Sequence, residues 1–385
     1  MNDQAPPPLA ESRSDSSGPR VVYLLGAGAT QGCIAHLGSR HKLVMSGLTE
    51  PIFEELQRVA EEKYRDHSGI RRLVNDVMLP EDGLDIEQLI TFLDDSPTLA
   101  YREFSSKLRE VFSSVLIGRL ADVEQELGVT RSRLYAALVD MHDVEGVGET
   151  LGGFLTLNYD VFLEHAIDHH LDLTVDYGVT ISTESIPAGR AIKVLKMHGS
   201  LGWTREWPFK AVLSDMAGVW IPPGLRKSKN DYPFNAIWGL ARDLLDCDIL
   251  RIVGCNLGPN DWDLVSLLFS TRFTHATAAP YRIEVIAEYA TVQRIRDLFP
   301  YLEVLWLPDL PRVGKQIVSE LLGGKPRRFA ELSESRQKDL ISKAKQSITN
   351  PFAYWLTQMG EAMATDLPSL ATTSGVFEQF VDGGR

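Results

Sequence analysis

Residues 21 to 31 read VVYLLGAGATQ, an apolar, β-branched run that breaks abruptly into Gly26, Ala27 and Gly28. Such a run reads as a buried strand. Glycines at its end let a backbone come close to a phosphate, and a following helix turns its N-terminal amides toward the negative charge. Alone, this turn is a weak signal. A hydride-transferring dinucleotide fold also wants a second short strand ending in an acid about 20 residues on. At that distance the chain reads LVMSGLTEPIFEEL, where Glu50 is expected to open a helix instead.

Working outward, short apolar strands recur at Gly153 to Leu157, Ala191 to Met197, Ile249 to Val253, Ile283 to Ala287 and Leu302 to Leu307, with helical patterns between them. That alternation predicts an α/β fold, a Rossmann-like parallel sheet with helices on both faces. From about Thr49 to His142 the pattern turns charged and 3.6-periodic, as in EPIFEELQRVAEEKY, DIEQLITFL and REFSSKLREVFSSVLIGRL. This predicts a helical insertion over 49–145. Residues 202–231 hold WTREWPF, GVWIPPG and LRKSKNDYP, too rich in Pro, Gly and aromatics for regular structure, and read as a loop-rich flap. Residues 1–20, rich in Pro and Ser, read as a disordered tail. The expected catalytic domain covers 21–310, and 311–385 a C-terminal helical extension and possible assembly region.

Composition narrows the function. The 385 residues carry a net charge of -13, which argues against a binder of nucleic acid that works through a globally basic surface. Residues 311–350 hold nine Lys or Arg against four acids, a pattern that fits a solvated helix face or an acidic partner. Cys33, Cys247 and Cys255 form no CxxC pair, which excludes a four-cysteine zinc ribbon and suits a reducing cytoplasm. No apolar run is long enough for a membrane span, and the N-terminus lacks a signal-peptide core.

Four strand ends carry chemistry. FLTLNYD delivers Asn158, Tyr159 and Asp160, residues that also cap helices well. VLKMHGSLGW ends at His198, Gly199 and Ser200, and a histidine beside a glycine turn can move a proton to or from a ligand hydroxyl. LRIVGCNLGPND opens into Gly254, Cys255, Asn256 and Gly258, offering amides to a ribose or adenine. IEVIAEYA puts Glu288 where a carboxylate accepts from ribose hydroxyls or simply starts a helix. Two other pairs have plainer readings. His165 and His169 lie at i and i+4 without a third metal ligand nearby, which favours a wet helix face. Trp203 and Trp207 fit adenine stacking, core packing or an assembly contact.

Taken in order, GAGAT, TLNYD, KMHGSLGW and VGCNLGPND resemble the ordered motifs of the sirtuin catalytic domain, over Val21 to about Trp306. The TLNYD variant, with DIEQLITFL in the insertion, looks more like the bacterial sirtuin-like NADases of anti-phage defence than like deacetylases. The chain lacks the deacetylases' four-cysteine zinc module, and GCIAHLGSRHK stands where they carry a GIPDFR-like stretch. The resemblance implies NAD as a substrate, with its pyrophosphate at Gly26, Ala27, Gly28 and Thr30, and its adenosine near Gly254, Asn256 and Glu288. It implies that Asn158 orients ribose and water, Asp160 holds the carboxamide and His198 acts as base on a ribose hydroxyl, with Tyr159 and Ser200 alongside. No metal is expected. Related chains work as homo-oligomers or with a HerA-type ATPase or a short Argonaute protein, so a partner or assembly is expected to hold the activity in check. A protein deacylase, a non-enzymatic NAD or ADP-ribose sensor and a dehydrogenase are the rival readings.

Overall fold

The computed structural model describes residues 18–77, 86–142, 148–171, 173–179, 190–201, 203, 221, 230, 232–274, 281–307, 333, 335 and 350–366. The flap apart from three residues, Trp207 and nearly all of 308–349 lie outside these. Among the described residues, seven strands form one sheet: β1 (Arg20–Leu25), β2 (Thr150–Thr156), β3 (Thr174–Asp176), β4 (Ala191–Lys196), β5 (Ile249–Val253), β6 (Arg282–Ile286) and β7 (Glu303–Trp306). Their order is β3-β4-β2-β1-β5-β6-β7, and every pairing is parallel. The six strands read from the sequence are all present, within three residues at each end. Edge strand β3, the three half-buried residues TVD, has no apolar run and is the one that pattern reading passes over.

Alternation within β1 explains why helices cover both faces. Val21, Tyr23 and Leu25 join one core, and Val22 and Leu24 join the other. The first core is closed by α1 (Ala27–His36) and by the helical segment between β1 and β2. That segment contains α2 (Met45–Lys63), α3 (Ser68–Arg72), α4 (Ile86–Asp94), α5 (Leu99–Leu127) and α6 (Arg133–Asp140). In α5 the stripe Phe104, Leu108, Phe112, Leu116, Leu120 and Val123 is buried at helical spacing, which is why a charged segment packs as a helix. One expectation needs correcting: α2 begins at Met45, so Glu50 lies inside it and exposed rather than at its start.

The second core is closed by α8 (Phe234–Leu244), α9 (Trp262–Thr274) and α10 (Tyr289–Leu298). Trp203 is fully buried there, edge-on to Tyr177 with ring centroids 5.1 Å apart, so its role is packing. A short helix, α7 (Phe162–His165), follows β2. The last described helix, α11 (Pro351–Asp366), buries Phe352, Ala353, Trp355 and Leu356 in the first core. Trp355 lies 5.4 Å from the guanidinium of Arg251 in β5. Arg251 in turn pairs with Glu284 at 2.6 Å and with Glu149 at 2.8 Å. Part of the C-terminal extension is therefore built into the sheet domain.

Candidate active site

The chain leaves β1 for β2 on one side of the sheet and returns through β5 on the other. In open α/β sheets that reversal leaves a crevice at the carboxyl ends of the strands. Here it is a cleft of about 640 Å³, and Gly26, Asn158, His198, Gly254 and Glu288 all line it. Five strand ends remote in sequence meet in one space, as the motif reading expected.

The glycines of this turn line the cleft and have a second, packing role that the sequence does not suggest. The Gly26 amide donates to Val253 O at 3.0 Å and the Gly28 amide to Gly254 O at 2.9 Å, so neither points freely into the cleft. A Cβ on Gly28 would stand 2.7 Å from Gly254 O, and one on Gly254 only 2.0 Å from Ala29 N. Gly254 also has φ +57, a left-handed conformation costly for other residues. The glycines let two turns touch. Ala27, at the start of α1, is exposed and lines the cleft.

Thr30 lines the cleft, yet its hydroxyl is engaged by other side chains. It is 1% exposed and forms a hub: its Oγ1 lies 2.9 Å from Tyr135 OH, 2.9 Å from Asp160 Oδ2 and 3.1 Å from Asn158 Nδ2. An ionised carboxylate only accepts and an amide nitrogen only donates. The Thr30 hydroxyl therefore donates to Asp160 and accepts from Asn158, which leaves Tyr135 as a second donor.

Asn158 is 6% exposed, and its Nδ2 also donates to Gly26 O at 3.1 Å. A carbonyl can only accept, so this bond settles which end of the side chain is nitrogen. Oδ1 then faces the other way, buried and without a hydrogen-bond partner among the described residues. An unmet buried acceptor costs about 1–3 kcal/mol. Asp160 precedes Val161, the N-cap of the short helix α7, and its Oδ1 accepts from that helix's first amide, Phe162 N, at 3.0 Å. One carboxylate thus holds the helix start and lines the cleft.

His198 is buried, lines the cleft, and lies with its ring 6.3 Å from that of Tyr159. Its main chain is tied to Ile221, whose amide donates to His198 O at 2.8 Å. Ile221 O accepts from Tyr159 OH at 3.0 Å. Burial, then the carboxylates of Glu87 and Asp261, hold the Tyr159 phenol well above its ordinary range, so it stays neutral. Ser200 is fully buried and is not among the described residues that line the cleft; its hydroxyl donates to Tyr159 O at 3.3 Å. Asn256 and Glu288 are exposed at the far end, with Glu288 preceding α10.

The sequence did not announce the remaining walls. Leu43, Met45, Leu48, Phe112, Leu116 and Glu87 arrive from the segment between β1 and β2, and Asn350 to Phe352 from the start of α11. Asn350 Nδ2 donates to Gly32 O at 2.8 Å, which seats that helix against α1. Four carboxylates, Glu87, Asp160, Asp261 and Glu288, line the cleft, and no Lys or Arg does among the described residues. Such a lining favours cationic groups over anionic ones. The rings of His165 and His169 lie 4.9 Å apart on the chain just beyond Asp160, with His165 Nδ1 2.8 Å from Ser132 Oγ.

No family model matches the chain, and no curated protein does. Among solved structures, two complexes of point variants of a Sir2 homologue with ADP-ribose match it at 14% and 13% identity, with TM-scores of 0.32 and 0.34. Each alignment covers 83% of this chain and 96% of the other. At such identities the chemistry must be read from the site itself.

Proposed function

We propose that the cleft binds NAD and hydrolyses its nicotinamide to ribose bond, giving nicotinamide and ADP-ribose. The observation that carries this reading is the pairing of Asn158 and His198 in one cleft, with Asn158 Oδ1 a buried acceptor that lacks a donor among the described residues. The reaction breaks the bond between the ring nitrogen and C1′. Its electrons neutralise the pyridinium, nicotinamide leaves, and oxocarbenium character grows on the ribose. Water then adds to C1′ and loses a proton. Such a reaction asks for positioning and charge stabilisation more than for a strong nucleophile.

In this reading Asn158 accepts from a ribose hydroxyl or the attacking water, and His198 takes the proton. Asp160, held by Thr30 and Phe162, receives the carboxamide N–H on its remaining lone pairs. The carboxylate-lined cleft favours the cationic ring before cleavage and not the neutral product. The pyrophosphate lies at Ala27 N and the α1 terminus. The adenosine lies toward Gly254, Asn256 and Glu288. We further propose that a partner, of the HerA-type ATPase or short Argonaute kind, or self-assembly restrains the activity in anti-phage defence.

Chromatography of NAD incubated with the purified chain tests this. Nicotinamide and ADP-ribose in equal amounts, with no acylated peptide added, is the expected result. Release only when an acyl-lysine peptide is present would assign a deacylase instead.

A further inference from the structure

Beneath the ends of β2 and β4 lies an ion pair that the proposed chemistry does not use. Lys196, the last residue of β4, and Glu164 in α7 have side chains 0% and 1% exposed, with Nζ 2.8 Å from Oε1. The ammonium also donates to the main-chain carbonyl of Asp160. Neither residue lines the cleft. Burying two charges is costly, and apolar replacements of similar size are often as stable or more so, so stability alone is a weak reason for this pair.

Its location supplies another reason. Lys196 stands two residues before His198, and the carbonyl it holds lies two residues after Asn158. Glu164 sits in the helix whose first amide, Phe162 N, donates to Asp160 Oδ1. One ammonium therefore joins the end of β4, the Asn158 to Asp160 turn and α7. Asp160 Oδ2 accepts from Thr30, and Thr30 accepts from Asn158 Nδ2. Any rotation of the Asp160 peptide would pass through that chain to Asn158 Oδ1. An apolar side chain in place of Lys196 would fill the space and offer the carbonyl no donor.

We propose that Lys196 is a positioning residue that sets the Asn158 to Asp160 turn through the Asp160 carbonyl, and that Glu164 supplies the countercharge allowing its ammonium to be buried there. Only the kinetic arm of the test below rests on the NAD-cleaving reading.

The test compares Lys196→Met, Glu164→Gln and the double variant Lys196→Met with Glu164→Met. Three quantities are read: thermal midpoint, amide exchange at Phe162 and Leu201, and kcat and KM for nicotinamide release. The Leu201 amide reports on the turn because it donates to Tyr159 O at 3.0 Å. Lys196→Met alone should lose stability, since it leaves a buried carboxylate unpaired. The double variant should recover the wild-type midpoint, yet keep exchange at both amides raised at least tenfold and kcat lowered at least tenfold, with KM within twofold. Glu164→Gln, which keeps the ammonium on the carbonyl, should hold kcat within threefold of wild type. Wild-type exchange and kcat in the double variant would overturn the proposal, as would equal kcat losses in Glu164→Gln and Lys196→Met. A wild type that releases no nicotinamide would sink the NAD reading, and the exchange measurements would still decide the role of Lys196.

Discussion

The two sides of the cleft are built in opposite ways. On the β2 and β4 side, Asn158, Thr30 and His198 are buried, and Thr30 alone joins three side chains. On the β5 and β6 side, Asn256 and Glu288 are exposed, and what is tight there is backbone: the Gly254 turn presses on α1 with room for no Cβ. Leu257, just beyond, holds φ +48 with its side chain buried, the one non-glycine residue at positive φ among those described. Bond breaking needs groups fixed before the substrate arrives, whereas holding a nucleoside tolerates wet, adjustable contacts. The contrast predicts that substitutions on the first side strike catalysis and those on the second strike folding or substrate choice.

The sharpest way to break that contrast is Asn158→Ala. Nicotinamide release should fall by about 10²–10³-fold, as when one preorganised polar group is removed from an active site, while circular dichroism stays native. A loss under threefold would mean that the buried acceptor is structural only. On the opposite side, Gly254→Ala should cost roughly 3 kcal/mol in urea unfolding, because it adds a clash at Ala29 N to an unfavourable φ. Wild-type stability there would show that the two turns part easily. Thr30→Val should lower kcat about tenfold and stability by about 1–3 kcal/mol by leaving Tyr135 and Asp160 short of a partner, whereas Thr30→Ser should restore both.

Smaller effects sharpen the comparison at its outer edge. Glu288 lines the cleft, and in the proposed binding mode it stands beside the adenosine ribose, so NADP should be cleaved less efficiently than NAD, and Glu288→Gln should narrow the ratio of kcat/KM values several-fold. An unchanged ratio would move the adenosine elsewhere. The weakest expected effect lies outside the cleft. Burial, with Arg131 and the neighbouring histidines, pushes His165 from 6.5 down to about 4. The unfolded chain therefore binds the extra proton first, and His165 contributes stability that is present above pH 6.5 and lost as pH falls toward about 4. Thermal midpoints followed across that window should drop more steeply in wild type than in His165→Gln.

Much of the architecture could be read from residue order because it rests on local pattern. The β5 run ILRIV and the α5 stripe each say what they are, and the strand-end position of Asn158, Asp160 and His198 follows from where those runs stop. What escaped depends on contacts between distant segments. Nothing in GAGAT says that the carbonyls of Val253 and Gly254 take two of its amides, and nothing near Thr30 points to Tyr135, 105 residues away. Edge strand β3 has too little apolar surface to leave a pattern. The walls given by Phe112 and Phe352 look like ordinary core positions until the fold brings them to the cleft. Lys196, a charge inside an apolar strand, was the local signal of a buried polar network.

The central claim is that the β2 and β4 strand ends do the chemistry while the β5 and β6 ends hold the nucleoside. Calorimetric titration of NAD into wild type and His198→Ala, paired with nicotinamide release by the same samples, tests it most directly. Binding within about threefold of wild type together with turnover reduced at least a hundredfold is the result we predict. Loss of binding and turnover together would place His198 in recognition and contradict the division between the two sides.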